Sequence, residues 1–298
     1  VYLYYGREGG LAGQLGPEDA DAALAVLPGE VVRRVVFQDL DGDGWTPCQG
    51  DCCDFPQVGV CGDPGLVNPG AFEVGGNDVD DDCDGTKDNV LTACDNGLPS
   101  NSSVATDYAK AIDLCPTTTE SPANLIDKKW GVISAKLSLS DGTGTPAASS
   151  RSIRQGFGSG VTPLAGSTLA VLSTGVAAAK TAPNNASPNY QPFQGGQDMA
   201  KTSPVPSDWL AANGNNFPNA PGCPEPQGGT TAHDPVMLKV RVRVPTNAKS
   251  FNVSTNFMSS EYPEWVCSAF NDFFLTLLDS TFAPGAGQAG NPADKNLA

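Results

Sequence analysis

A chain of 298 residues has room for two or three domains and a sizeable core. Its 33 acidic side chains against 17 basic ones leave a net charge of −16. That balance excludes a nucleic-acid surface, which needs clustered Lys and Arg, and argues against docking on anionic lipid headgroups. Charged residues make up only 17%, while Gly (34) and Pro (25) abound, the mix of a loop-rich, mainly β protein. No apolar run approaches the roughly twenty residues of a membrane span, and no signal-peptide pattern is visible. A start at Val1 rather than Met suggests a processed or partial product.

In chain order, VYLYYGREGGLAG opens as an aromatic β-like run followed by a Gly-rich turn. Pro17–Leu27 is predicted to be a short helix, with Pro at its start and acids in its first turn. EVVRRVVF (Glu30–Phe37) reads as a strand leading into Asp39. The whole piece, residues 1–38, is similar to the tail of an FG-GAP repeat, the blade unit of integrin-type propellers. One partial copy cannot close a propeller. Two readings follow: a remnant of a larger precursor, or a loose strand at Val1–Tyr5 that pairs with a neighbouring subunit.

Asp39–Asp88 holds twelve Asp and one Glu against one Lys, so thirteen acids and one base put a net −12 into fifty residues. Carboxylates at that density cannot pack without counter-charge. The segment is therefore either a solvated acidic stretch or a fold around cations, and its spacing favours cations. Asp39, Asp41 and Asp43 alternate ahead of Gly44, and Asp80, Asp82 and Asp84 alternate ahead of Gly85. D-x-D-x-D-G places three carboxylates on one side of a tight loop, with Gly supplying the turn. The next ligand in such loops is a backbone carbonyl two residues on, here Trp45 or Thr86. A later carboxylate closes the shell: Asp88 in the second loop, Asp51 or Asp54 in the first, with Asp78 a further candidate. An EF-hand would carry Glu at position twelve, where this chain has Gly50 and Leu91. Oxygen-only ligands in this number suit Ca2+ over Zn2+, and Mg2+ would take fewer protein ligands.

DGDGWTPCQGDCCD (Asp41–Asp54) and NPGAFEVGGNDVDDDCDG (Asn68–Gly85) resemble the metal-binding repeat of the MopE type found in bacterial surface and secreted proteins. Its pattern runs D-x-D-G-D-G, D-C-D-D, P-G-A-x-E and D-x-D-C-D-G. Cys53 stands where the family usually has Asp, and Cys61 is additional. The resemblance covers about fifty residues and implies divalent-metal binding without catalysis.

Of nine Cys, seven lie between Cys48 and Cys115, with Cys223 and Cys267 far along the chain. One His (His233) and no paired C-x-x-C knuckles leave no zinc pattern, so disulfides in an oxidising compartment are expected. The preferred pairs are Cys94–Cys115 and Cys223–Cys267. An odd count leaves one thiol free or linked to another chain.

Beyond Asp88, SSVATDYAKAIDLC (Ser102–Cys115) predicts a helix of roughly three turns ending at Pro116. Alternation predicts strands at Trp130–Leu139, Ser167–Gly175, Val236–Val244, Phe251–Ser259 and Asp272–Ser280. In VMLKVRVRV, Lys239, Arg241 and Arg243 should face water. The Pro/Asn/Gly/Gln-rich stretch between Thr181 and Ala232 is long for a structureless loop. It should wrap a sandwich, pinned by Trp209, Phe217 and the Cys223 bridge.

LSTG (Leu172–Gly175) and SEYPEWVCSAFNDFF (Ser260–Phe274) resemble the choice-of-anchor L domain of secreted and surface-anchored bacterial proteins, over roughly Asp107 to the end. The family normally continues with more strands, so the resemblance implies an incomplete domain. The expected organisation is a terminal segment (1–38), a Ca2+-binding module (39–95) and an antiparallel, jelly-roll-like β-sandwich (96–298).

Glu261, Glu264, Asn271 and Asp272 form a possible second Ca2+ site, or else cap loops through side-chain to backbone hydrogen bonds. A glycosidase pair at Glu261 and Glu264 is disfavoured, with no aromatic-lined cleft evident. His233 lacks a nucleophile elbow, and GFGSG (Gly156–Gly160) lacks the Lys of a phosphate loop and reads as a turn. The expectation is a non-enzymatic extracellular or cell-surface structural protein that self-associates through strand addition as a surface assembly or filament. The alternative is a Ca2+-dependent adhesin or glycan-binding module.

Overall fold

The computed structural model describes residues 39–55, 61–158, 160–178, 198–218, 222–223, 229–268 and 272–297, with the backbone at Tyr2–Leu3 and Ala22–Ala23. Among the described residues helix is scarce: α1 (Ala105–Lys110) and α2 (Ser207–Ala212) have six residues each. No helix there is long and apolar enough to cross a membrane. The strands are β1 (Tyr2–Leu3), β2 (Ala22–Ala23), β3 (Gly131–Ser138), β4 (Arg151–Arg154), β5 (Leu169–Leu172), β6 (Thr202–Pro204), β7 (Thr231–His233) and β8 (Met237–Arg243). They pair antiparallel in four two-stranded sheets, β1–β2, β3–β8, β4–β5 and β6–β7. The chain divides into two units. One takes Val1–Val90, Thr118–Trp130 and Val244–Lys249; the other takes Leu91–Thr117, Gly131–Arg243 and Ser250–Ala298.

The first unit is built from loops. Its apolar centre is Cys53, Cys61 and Val67, with Val79 and Cys83 against them. Trp45, buried at 4% exposure, donates from Nε1 to Leu125 O (3.4 Å), and Lys128 Nζ lies 5.7 Å from its ring centroid. Gly70 permits this seat, because a Cβ there would stand 2.8 Å from the Trp45 ring. The same turn receives a segment from far along the chain. Thr246 Oγ1 donates to Asn68 Oδ1 (2.7 Å), and Asn247 exchanges two hydrogen bonds with the Phe72 backbone. Tyr2 and Leu3 pair with Ala23 and Ala22. This corrects two expectations: Val1–Tyr5 is not a free strand at those positions, and Ala22–Ala23 is extended within the span predicted as helix. So short a helix is marginal in water, and the β1 backbone offers its amides a ladder instead. The strand expected at Glu30–Phe37 lies outside the described residues.

The second unit packs α1 against sheet. Tyr108, Ala111 and Ile153 form its core with Leu98, Leu137, Ala170 and Leu238. The Tyr108 hydroxyl donates to Ser102 O (2.9 Å). Helix α1 is shorter than predicted because the chain turns at Asp113, where φ is +66°. Asp95, buried at 3%, accepts from the amides and hydroxyls of both Ser167 and Thr168. Burial alone would raise its carboxyl, but the four donors outweigh that and hold it below the usual range. On β8, Lys239 and Arg241 are exposed and Arg243 is half-buried.

Two strand expectations and one loop expectation need correction. Phe251–Ser259 and Asp272–Ser280 alternate as strands do, yet neither forms one. Among the described residues, 251–259 has no ladder partner, and the second run has a single bridge, Leu277 to Asn296. A strand needs such a partner for its amides. The stretch from Thr181 to Ala232 is not structureless, since it contains β6, α2 and part of β7. There Trp209, 2% exposed, meets the rings of Phe217 and Phe273 at 6.3 and 6.1 Å. The antiparallel, largely non-helical character is as expected; the sheets are small.

Four disulfides join Cys52–Cys83, Cys53–Cys61, Cys94–Cys115 and Cys223–Cys267, leaving Cys48 free and exposed. This suits an oxidising compartment.

Candidate metal centre

Each D-x-D-x-D-G run folds into a turn held by its own carboxylates. Asp39 accepts from the amides of Gly42 (2.6 Å) and Gly44 (3.0 Å), Asp41 from Asp43 (3.1 Å), and Asp43 from Trp45 (2.8 Å). Gly42 and Gly44 sit at φ +82° and +99°, which explains their place in the motif. Two later acids close over this turn. Asp51 Oδ1 accepts from Cys53 N (2.8 Å) and Asp54 Oδ1 from Leu40 N (2.7 Å), and both residues are 6% exposed. The sequence left Asp51 and Asp54 as alternatives; the structure brings both to this turn.

Two groups result, Asp39–Asp41–Asp43 and Asp41–Asp51–Asp54, with one oxygen from each member within 4.8 Å of the others. Three oxygens, Oδ2 of Asp41, of Asp43 and of Asp51, are covered from solvent and meet no hydrogen-bond donor. Ionised carboxylates cannot donate to one another, and among the described residues no Lys or Arg pairs with this cluster. Burial raises the carboxyls of Asp41 and Asp43 and neighbouring acids add to the rise, against the amides of Asp43 and Trp45 and, at Asp43, the Asn68 side chain, which pull the other way. Asp51 is pushed up to about 6, first by burial and then by Asp43, Asp41 and Asp54.

The second loop repeats the first turn. Asp80 accepts from Asp84 N (3.1 Å) and Gly85 N (3.0 Å), Asp82 from Asp84 N (3.2 Å), and Asp84 from Thr86 N (2.8 Å). Its three-oxygen group is Glu73, Asp80 and Asp82. Glu73, 3% exposed, also accepts from the amides of Asp81 (2.9 Å) and Asp88 (2.5 Å). The Glu73 and Asp82 carboxyls are raised, chiefly by burial.

Asp78, Asp84 and Asp88 stand outside the three-oxygen groups. Asp84 lies outside the three-oxygen group, and its carboxyl is lowered, first by the amide of Asn89 at 2.7 Å. Asp88 gathers the amides of Gly76, Asn77 and Asp78, while Asp78 pairs with Lys87 at 3.3 Å. The amides of Trp45 and Thr86 brace Asp43 and Asp84. Cys52 and Cys83, each adjacent to an acid of one group, staple the two loops together.

Glu73 and Asn68 were not singled out as site residues. Glu73 is the acid of the P-G-A-x-E element, so the signal was present in the pattern. Asn68, fully buried, anchors Gly70 N and Thr246, a long-range role that local spacing does not reveal.

Glu261, Glu264 and Asp272 form no three-oxygen group, and Asn271 lies outside the described residues. Ser259 Oγ donates to Asp272 (2.7 Å) and accepts from Glu261 N (3.1 Å), a loop-bracing arrangement. Burial raises the Glu261 carboxyl, with Asp272 adding to it. Compared with protein-family models, curated proteins and solved structures, the chain matches none.

Proposed function

We propose that the first unit is a Ca2+-binding module whose ions complete its fold, in an extracellular or cell-surface structural protein. The observation that carries this reading is the set of three solvent-covered carboxylate oxygens without donors at Asp41, Asp43 and Asp51. Among the described residues none of these acids has a Lys or Arg partner. A hard dication in an all-oxygen shell is the chemistry that fits, and Asp39, Asp41, Asp43, Asp51, Asp54, Glu73, Asp80 and Asp82 would hold it. The ion supplies positive charge that lets the acids pack, so its binding energy becomes folding energy. The resemblance to MopE-type repeats supports the reading, and the disulfides support the compartment.

The wider role we propose is mechanical: a subunit of a surface assembly joined by strand addition. Phe251, Val253, Phe257 and Met258 are exposed on a run with strand-like alternation and no ladder among the described residues. A run without a partner among the described residues could pair with a strand of another chain through its main chain. In this reading the small sheets of the second unit belong to a β-sandwich of the choice-of-anchor L kind.

Equilibrium dialysis of the full chain against calcium, magnesium and zinc tests the ion. Calcium should be retained well above magnesium and zinc at about 1 mM each; preference for zinc rejects the reading. Light scattering in calcium tests the assembly. A stable monomer rejects strand addition and leaves the calcium role standing.

A further inference from the structure

We infer that the first loop holds two calcium ions bridged by the Asp41 carboxylate, against one ion in the second loop. The inference rests on the calcium reading above and extends it to ion number and to the division of labour among the five aspartates.

Geometry is the first support. Ligand oxygens lie about 2.3–2.6 Å from a calcium ion, so two ligands of one ion stand no more than about 5 Å apart. The first loop's acids satisfy that limit as two triplets, Asp39–Asp41–Asp43 and Asp41–Asp51–Asp54, and Asp41 alone belongs to both. The second loop offers one triplet, Glu73–Asp80–Asp82.

The unpartnered oxygens divide in the same way. Of the residues that carry such an oxygen, Asp43 belongs to the outer triplet, Asp51 to the inner one, and Asp41 to both. Asp51 carries most weight, being 6% exposed with Oδ1 already committed to Cys53 N. Its second oxygen is buried and has no donor, and its carboxylate joins those of Asp41 and Asp54. In the second loop Glu73, Asp80, Asp82 and Asp84 contribute no such buried oxygen.

Charge points the same way. Five carboxylates with no cationic side chain paired to them among the described residues carry −5, and one dication leaves −3 around the buried Asp51 and Asp54. Two leave −1, a residue that water and backbone dipoles accommodate. The outer ion lies beside exposed Asp39 and the inner one beside buried Asp51 and Asp54, so the outer ion should exchange faster.

Native mass spectrometry of the full chain in calcium acetate, with isothermal titration by calcium chloride, counts the ions. The wild type should bind three. Asp39→Asn should lose the outer ion and keep two, Asp51→Asn should lose the inner ion and keep two, and Asp41→Asn should lose both and keep one. The wild-type count needs no variant, so a misfolded substitution does not spare the inference. Two ions in the wild type, one per loop, overturns it while leaving the calcium module intact; no bound ion overturns both.

Discussion

If calcium completes the first unit, its chelation should lower the melting temperature of that unit by about 10 °C or more and open its loops to protease. One ion held at a hundred times its Kd contributes about 2.7 kcal/mol. In a unit of this size each kcal/mol shifts melting by about 4–8 °C, so losing even one ion is plainly measurable. The second unit, with its own core around Tyr108 and Ile153, should keep its transition. The pH dependence should reverse between the two states. Without calcium, Asp51 is raised to about 6 from an ordinary 3.8, so the native form binds more protons than the unfolded chain between those values. The contribution of Asp51 to metal-free stability is then fully present below the ordinary carboxylate range and is lost as pH rises through about 6. With calcium the ionised acids are the ligands, and stability rises with pH across the same window. Scanning calorimetry at acidic and neutral pH, with calcium and with EDTA, checks both parts. Superimposable curves contradict them.

Replacing Cys52 and Cys83 together by Ala should weaken calcium binding in both loops and destabilise the unit by about 3–4 kcal/mol. The bond closes a loop of sequence separation 31, for which chain entropy predicts that range. Its position matters more than its length. Cys52 follows Asp51 and Cys83 separates Asp82 from Asp84, so the bond holds one acid group in register with the other. Cys94–Cys115 closes a loop of separation 21 in the other unit. Its removal should cost stability there and leave calcium affinity unchanged. Titration calorimetry on the two double variants separates these outcomes; equal calcium affinities in both contradict the stapling role.

What the sequence revealed follows how local each interaction is. The alternating Asp runs were readable because each turn is closed by hydrogen bonds spanning five residues or fewer, as from Asp39 to Gly42 and Gly44. Strands β3 and β8 showed through as alternation, and they pair with each other as Gly131–Ser138 against Met237–Arg243. Strand β4 did not, since Arg-Ser-Ile-Arg is short and polar although all four residues are buried. The opposite failure occurred at 251–259, where alternation was present and pairing was not, because a ladder depends on a partner that a local pattern cannot supply. Within the acidic cluster, the turn acids were recognisable by spacing. Glu73 reaches Asp88 across fifteen residues, and Asn68 reaches Thr246 across 178, separations that periodicity cannot report.

Crystals of the full chain grown in calcium, with diffraction recorded at a wavelength where calcium scatters anomalously, would locate the ions among the acids. Anomalous peaks should lie between Asp39, Asp41 and Asp43, between Asp41, Asp51 and Asp54, and between Glu73, Asp80 and Asp82. Well-ordered side chains with no anomalous density at any of these positions would mean that crowded aspartates fold here without a metal, and the calcium module would be wrong.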